Sequence, residues 1–257
     1  MHEFHDVSLE EKENIALVTL NRPQVLNAIS RSLIDGLKEA AEYIERNRQI
    51  RVAILTGAGE RSFSAGLDLK KIQAGEHIVD ITSMHSLYES LRGCRDVLTM
   101  YDMLPIPVIA AINGYCLGGG IEIALCCDIR LAADHAVFSM PEASLGIVPD
   151  FGGSARLPRA VGAAMAKELI LTCRRIDAAE ALRIGLVQHI YARDQLMAEA
   201  WKMAREISTV HPAVASGVKK IANFSASSSL ETALNYETAT SMYSTQFSAL
   251  GEQKKLA

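Results

Sequence analysis

Asn113-Gly114-Tyr115-Cys116-Leu117-Gly118-Gly119-Gly120-Ile121-Glu122 stands between the run IPVIAAI (106–112) and the apolar segment IALCCD (123–128). The first run is short, β-branched and closed by Asn-Gly, so it reads as a buried strand ending in a turn. The second reads as a helix opened by three glycines. Bare glycine N–H groups at the positive end of a helix let an anionic oxygen approach without meeting a Cβ. Glu122 falls inside the first turn. The same cluster can also serve tight packing between strand and helix, so this stretch alone leaves both readings open.

Working outward, the pattern of short Val- and Ile-rich runs alternating with helical periodicity continues. Strands are expected at Ile15 to Leu20, Val52 to Thr56, Pro107 to Ile112, Ile129 to Ala132 and Leu186 to Ile190. Helices are expected at Ser30 to Arg48, Ile81 to Met103 and Gly119 to Cys127. This is the signature of an α/β protein with largely buried strands. From Ala160 onward the chain reads as helical, with at most one strand. The helical segments are Ala163 to Thr172, Ala178 to Ile184, Asp194 to Ser208, Ala213 to Ala222 and Leu230 to Gln246. Asp177 with Glu180 marks one helix start.

Two further stretches carry candidate chemistry. Phe63-Ser64-Ala65-Gly66-Leu67-Asp68-Leu69 follows the strand VAILTGAG (52–59) with small residues at a tight bend, and supplies another exposed N–H. Two N–H groups from separate elements that converge on one oxygen form an oxyanion hole. The other stretch runs from Phe138 to Gly153 and contains Pro141-Glu142 and Asp150. Locally, Ser139 with Glu142 fits a capping box with Pro141 at the first helical position, and Asp150 fits a turn.

Taken in order, RP..LNA (22–28), SAGLDL (64–69), NGYCLGGGIE (113–122), PEASLGI (141–147) and GG.ARLPR (152–159) resemble the crotonase, or enoyl-CoA hydratase/isomerase, family over nearly the whole chain. The resemblance implies a ββα spiral core, residues 1–200, carrying the coenzyme A and catalytic sites. It also implies a C-terminal helical trimerisation region, residues 201–257, and trimers often paired into hexamers. By position it places the oxyanion hole at the backbone N–H groups of Leu67 and Gly119. Val25, Leu26, Ala28, Ala65, Gly66, Asp68, Leu69 and Gly118 would line the thioester and coenzyme A. Glu122 and Glu142 fall on the two carboxylates that serve hydratases as acid and base. The expected partner is an acyl-CoA thioester. No metal or redox cofactor is implied, coenzyme A being part of the substrate.

Asp150 departs from the plain hydratase pattern. Typical hydratases carry glycine at this position, whereas several isomerases of the family carry a catalytic aspartate. Hydration of a 2-enoyl-CoA is the first expectation and double-bond isomerisation through Asp150 the second. A non-catalytic acyl-CoA-binding or scaffold homologue is the third.

Composition narrows the remaining classes. The 257 residues are 49% hydrophobic and 22% charged, ordinary for a globular protein, and the net charge of −4 comes with basic residues scattered along the chain. That offers no field for a phosphate backbone, so nucleic acid is not expected as a partner. The five cysteines show no C-x-x-C or metal-ligand spacing and read as reduced core thiols of a cytoplasmic protein. The polar, acidic start is neither a secretory signal nor a transit peptide, and no apolar run nears the roughly 20 residues that cross a bilayer, so no membrane partner is expected. Gly57-Ala58-Gly59 is followed by Ser62 where a dinucleotide fingerprint needs glycine. No G-x-S-x-G elbow and no H-E-x-x-H pair occurs.

Overall fold

Val52–Gly57 is buried at all six positions, as befits a strand covered on both faces. In the computed structural model, which describes residues 1–246, it is the central strand of a seven-stranded sheet. The chain opens with β1 (His2–Phe4), β2 (Val7–Lys12) and β3 (Ile15–Leu20), followed by α1 (Arg31–Arg46). Three times it then lays a long strand and a short one before its helices. β4 (Val52–Gly57) and β5 (Ser62–Ser64) precede α2 (Leu69–Gln73) and α3 (Met84–Met103). β6 (Val108–Ile112) and β7 (Tyr115–Leu117) precede α4 (Gly119–Ala124). β8 (Ile129–Ala133) and β9 (Val137–Ser139) precede α5 (Gly153–Val161) and α6 (Ala163–Thr172). The rest is β10 (Ile176–Asp177), α7 (Ala178–Arg183), β11 (His189–Tyr191), α8 (Leu196–Ser208), α9 (Pro212–Ser225) and α10 (Leu230–Thr245).

The long strand of each repeat joins a first sheet in the order β1-β2-β3-β4-β6-β8-β11, and the short one joins a second sheet, β10-β9-β7-β5. From β3 to β11 all neighbours in the large sheet are parallel. Each repeat therefore turns from one sheet into the other and back, which is the expected ββα spiral.

The period-2 alternation of strands divides the core in two. Ile15, Val52, Ile54, Ile109, Ala111 and Leu131 face α8, whose Leu196, Ala200 and Ala204 recur at helical spacing. Val18, Leu20, Ala53, Leu55, Ala110 and Ile112 face the other side, where α1 contributes Leu33, Ile34, Leu37, Ala41 and Ile44. Ser30 caps α1 by accepting from the Leu33 N–H, and Asp177 caps α7 by accepting from the Glu180 N–H.

Several expectations need correction. The acidic N-terminus contains two strands, and β2 pairs through its exposed Glu10, Glu11 and Lys12 with Leu17, Ala16 and Ile15 of β3. Among the described residues two strands, not at most one, follow Ala160, since β10 adds a two-residue antiparallel edge to β9. The strand expected at Leu186 to Ile190 is His189–Tyr191 because the Leu186 and Val187 N–H groups both donate to Ala181 O, closing the end of α7, and the ladder with β8 begins only beyond them.

The boundary expected between residues 200 and 201 falls inside α8. Of the region expected from 201 to 257, residues 247–257 lie outside the described residues. No helix among the described residues is long and apolar enough to cross a membrane. Beyond α8 the tie to the core is polar. Lys219 of α9 is buried, with Nζ 2.9 Å from Asp128 Oδ2, and it donates to Tyr101 O at 2.9 Å and Ile106 O at 3.1 Å. Removing one member of such a pair strands the other in the interior. Lys219→Met is therefore expected to cost about 3–5 kcal/mol, measured by chemical denaturation, whereas Asp128→Asn combined with Lys219→Met should cost less than the single change.

Candidate active site

β5, β7 and the start of α4 bring the two glycine-bearing bends together. Gly66, at φ +82, stands so close to the neighbouring bend that a Cβ there would lie 2.7 Å from Leu117 O and 3.5 Å from Gly119 N. Gly118 has φ +51, and a Cβ there would lie 2.4 Å from Oε1 of Glu142. Glycine is required at both positions for close approach as well as for backbone conformation. At these two positions the glycines serve the close packing of the two bends.

A parallel bridge joins Ile29 to Leu67, built from Ile29 N–H to Gly66 O at 2.7 Å and Asp68 N–H to Ile29 O at 3.0 Å. This pattern leaves the N–H of Leu67 itself outside the ladder. Gly119 is the first residue of α4, where an N–H has no partner within the helix. Neither group donates to a protein acceptor among the described residues. The two expected oxyanion donors are both unspent, on elements that touch.

Glu122, on α4, is 3% exposed. Its Oε1 accepts from the Phe151 N–H at 2.9 Å and the Gly153 N–H at 2.7 Å. Burial pushes this carboxyl up to about 8, the charges of Glu142 and Asp150 add to the rise, and the two N–H bonds oppose it. Glu142 is 5% exposed, and its buried Oε2 has no hydrogen-bond partner. Its carboxyl is also raised, by burial first and then by Asp150. Asp150, half-buried, is raised by burial against a hydrogen bond to its own backbone. Burial thus raises all three carboxyls, Glu142 feels Asp150 as well, and Glu122 feels both of the others.

The capping box expected at Ser139 and Glu142 does not form. Ser139 Oγ donates instead to Cys173 O at 2.9 Å, and Pro141 precedes a 3-10 turn, Glu142–Leu145, that has no side-chain cap. Glu142 is thereby free of a structural task and turns inward.

The expected lining residues gather along one edge. Val25 ends a 3-10 turn, Leu26 is left-handed at φ 57, and the Ala65 N–H donates to Leu26 O at 3.0 Å, which fixes this loop beside Gly66. Ala28 O accepts from Arg22 at 2.5 Å. The Asp68 carboxylate is turned into the protein, where it pairs with Arg22 at 2.9 Å and accepts from the Lys71 N–H at 3.2 Å. Leu69, next along, is 45% exposed.

Sequence reasoning assigned no role to Arg22, Phe151 or Gly153. Arg22 was visible only as part of the RP..LNA motif, and the Gly152-Gly153 pair only as part of GG.ARLPR. Among the described residues no group of three or more His, Cys, Asp or Glu is placed to hold a metal ion.

Residues 10–254 match the family model for enoyl-CoA hydratase/isomerase. The chain is 40% identical over 235 residues to a short-chain-enoyl-CoA hydratase of Clostridium acetobutylicum, covering 91% of this chain and 87% of that one. It is 39% identical over 204 residues to a crotonyl-CoA hydratase of Syntrophomonas wolfei, covering 79% of this chain and 76% of that one. Among solved structures, an enoyl-CoA hydratase from Bacillus anthracis superposes with a TM-score of 0.85 at 36% identity, covering 92% of this chain and 90% of that one.

Proposed function

Because the chain belongs to the enoyl-CoA hydratase/isomerase family, we propose that it is an enoyl-CoA hydratase, adding water across the C2=C3 bond of a 2-enoyl-CoA to give the 3-hydroxyacyl-CoA. The observation that carries this reading is the pair Glu122 and Glu142, buried together beside two unspent N–H groups. The Leu67 and Gly119 N–H groups receive the thioester oxygen, on which negative charge develops as water adds to C3. One carboxylate of the pair takes the proton from that water and the other carboxyl delivers a proton to C2, so the pair ends with the number of protons it began with. Val25, Leu26, Ala28 and the segment from Ala65 to Leu69, with Gly118, hold the thioester arm. Coenzyme A belongs to the substrate, and the reaction calls on no other cofactor.

Asp150 gives a second reading a footing. Moving a double bond needs a proton removed at one carbon and returned at another, and a third acid within electrostatic reach of the pair can serve the more distant carbon. The test is Asp150→Gly and Asp150→Asn assayed on a 2-enoyl-CoA and on 3-enoyl- and 3,5-dienoyl-CoA, with products identified by mass and chromatography. Hydration spared with isomerisation lost is the expected result and makes Asp150 the isomerising acid of a mixed enzyme. Equal loss of both makes it structural. Coenzyme A binding without turnover of any thioester would instead point to a non-catalytic binding protein and sink the hydratase reading.

The reading includes a trimer, alone or paired into a hexamer. In α10 only Ala233 is buried, while Leu230, Leu234 and Met242 are exposed. A groove of about 860 Å³ between α9 and the core, lined by Met103, Ile207, Val210, Val218 and Ala222, is likewise largely apolar. Light scattering at micromolar concentration should give three or six times the chain mass, and a monomer would contradict it.

A further inference from the structure

Gly152 has φ +116, and a Cβ built on it would lie 2.0 Å from Nη1 of Arg156 and 3.2 Å from its Cζ. The guanidinium therefore rests against bare backbone, in space that any side chain at 152 would need. The rest of its fork is anchored on α3. Nε and Nη2 both donate to Asp102 Oδ2 at 3.2 Å, and Nη2 donates to Thr99 Oγ1 at 2.9 Å. Arg156 also donates its backbone N–H to Gly152 O at 2.8 Å. The residues flanking Gly152 are Phe151 and Gly153, whose N–H groups are the two that meet Oε1 of Glu122.

We propose that Arg156 is a positioning residue for Glu122: anchored on Thr99 and Asp102, it clamps the Gly152 turn and so fixes the two N–H groups that orient the Glu122 carboxyl. The side chain is suited to this because a planar fork can hold two partners and still lay one nitrogen on the turn, which a lysine ammonium cannot do. This role rests on the reading of Glu122 as one of the reacting pair.

The charged groups that act on Glu122 are Glu142 and Asp150, while Arg156 faces Asp102 and the Cys126 thiol. A change at Arg156 therefore reaches Glu122 through the turn. The N–H bonds favour the charged carboxylate, so loosening them moves its titration upward.

The experiment follows Glu122 by carbon-13 NMR in the folded, substrate-free protein, the signal being assigned by its absence in Glu122→Gln. Arg156→Ala should raise the Glu122 midpoint by about one unit, and Arg156→Lys and Asp102→Asn should raise it less. With a 2-enoyl-CoA, Arg156→Ala should lower kcat with KM nearly unchanged, and it should add no further loss in a Glu122→Gln background. A folded Arg156→Ala, or Asp102→Asn where that variant fails to fold, whose Glu122 titration does not move would overturn the proposal. So would an equal loss of kcat with and without Glu122. Because the titration needs no substrate, a shifted midpoint in a protein that hydrates no enoyl-CoA would sink the hydratase reading and leave this one standing.

Discussion

Glu142→Gln is expected to lower kcat on a 2-enoyl-CoA by about two to four orders of magnitude, with KM changing little. Glutamine has the same shape but can neither take nor release a proton at working pH. The buried, unpartnered Oε2 of Glu142 makes no bond whose loss would loosen the fold. Glu122→Gln should match it, since the amide oxygen can still accept from Phe151 and Gly153 and the site should keep its shape. The pair shares protons, so the double variant should be little worse than either single one. In the wild type, kcat/KM should fall as pH rises past about 8, where Glu122 loses its proton in the substrate-free protein. Stability carries the same signature. The fold raises the Glu122 carboxyl above its ordinary range, so its contribution is complete below that range and is lost as pH rises toward about 8. Glu122→Gln, neutral throughout, should flatten that loss in denaturation curves taken across the same pH range. Wild-type turnover in Glu142→Gln would remove the two-carboxylate mechanism.

What could be read before the structure was whatever lies in a contiguous run. β4 and β6 are continuous apolar stretches, and α1 repeats its buried residues at helical spacing, so each announces itself. The second sheet does not. Its strands are two or three residues long, too short for any period, and they exist because the spiral carries each chain segment past the last one. β2 was hidden for another reason, since the acidic half of the strand is exposed and looks like a tail.

The site divides along the same line. Glu122, Glu142 and the glycine bends stand in short motifs. The partners that orient them do not, because an N–H donor such as Phe151 carries no trace of its role in its side chain. Nor does any local pattern join Arg22 to Asp68, 46 residues away. The Ser139 and Glu142 spacing illustrates the converse. It satisfies a capping box in one dimension, yet Ser139 is claimed by Cys173 at the end of α6 and the box never forms.

Gly119→Pro is expected to lower kcat about 100- to 1000-fold, equivalent to about 2.7–4 kcal/mol of transition-state stabilisation, by deleting one oxyanion donor. Proline removes the N–H outright. At the first position of α4 that N–H has no helical partner to lose, and proline is tolerated there better than anywhere deeper in a helix. Gly119→Ala is the matched control. It keeps the N–H, and the atom its Cβ would crowd, at 2.5 Å, is the terminal Cδ1 of Ile29, which can turn away. Alanine should therefore retain most of the activity while proline loses it, although alanine puts a carbon into the same space. The opposite ranking, or a folded Gly119→Pro with normal turnover by circular dichroism and rate assay together, would mean that the thioester oxygen sits elsewhere. If the ranking holds, what reacts at position 119 is the backbone, and the glycine is there to leave it bare.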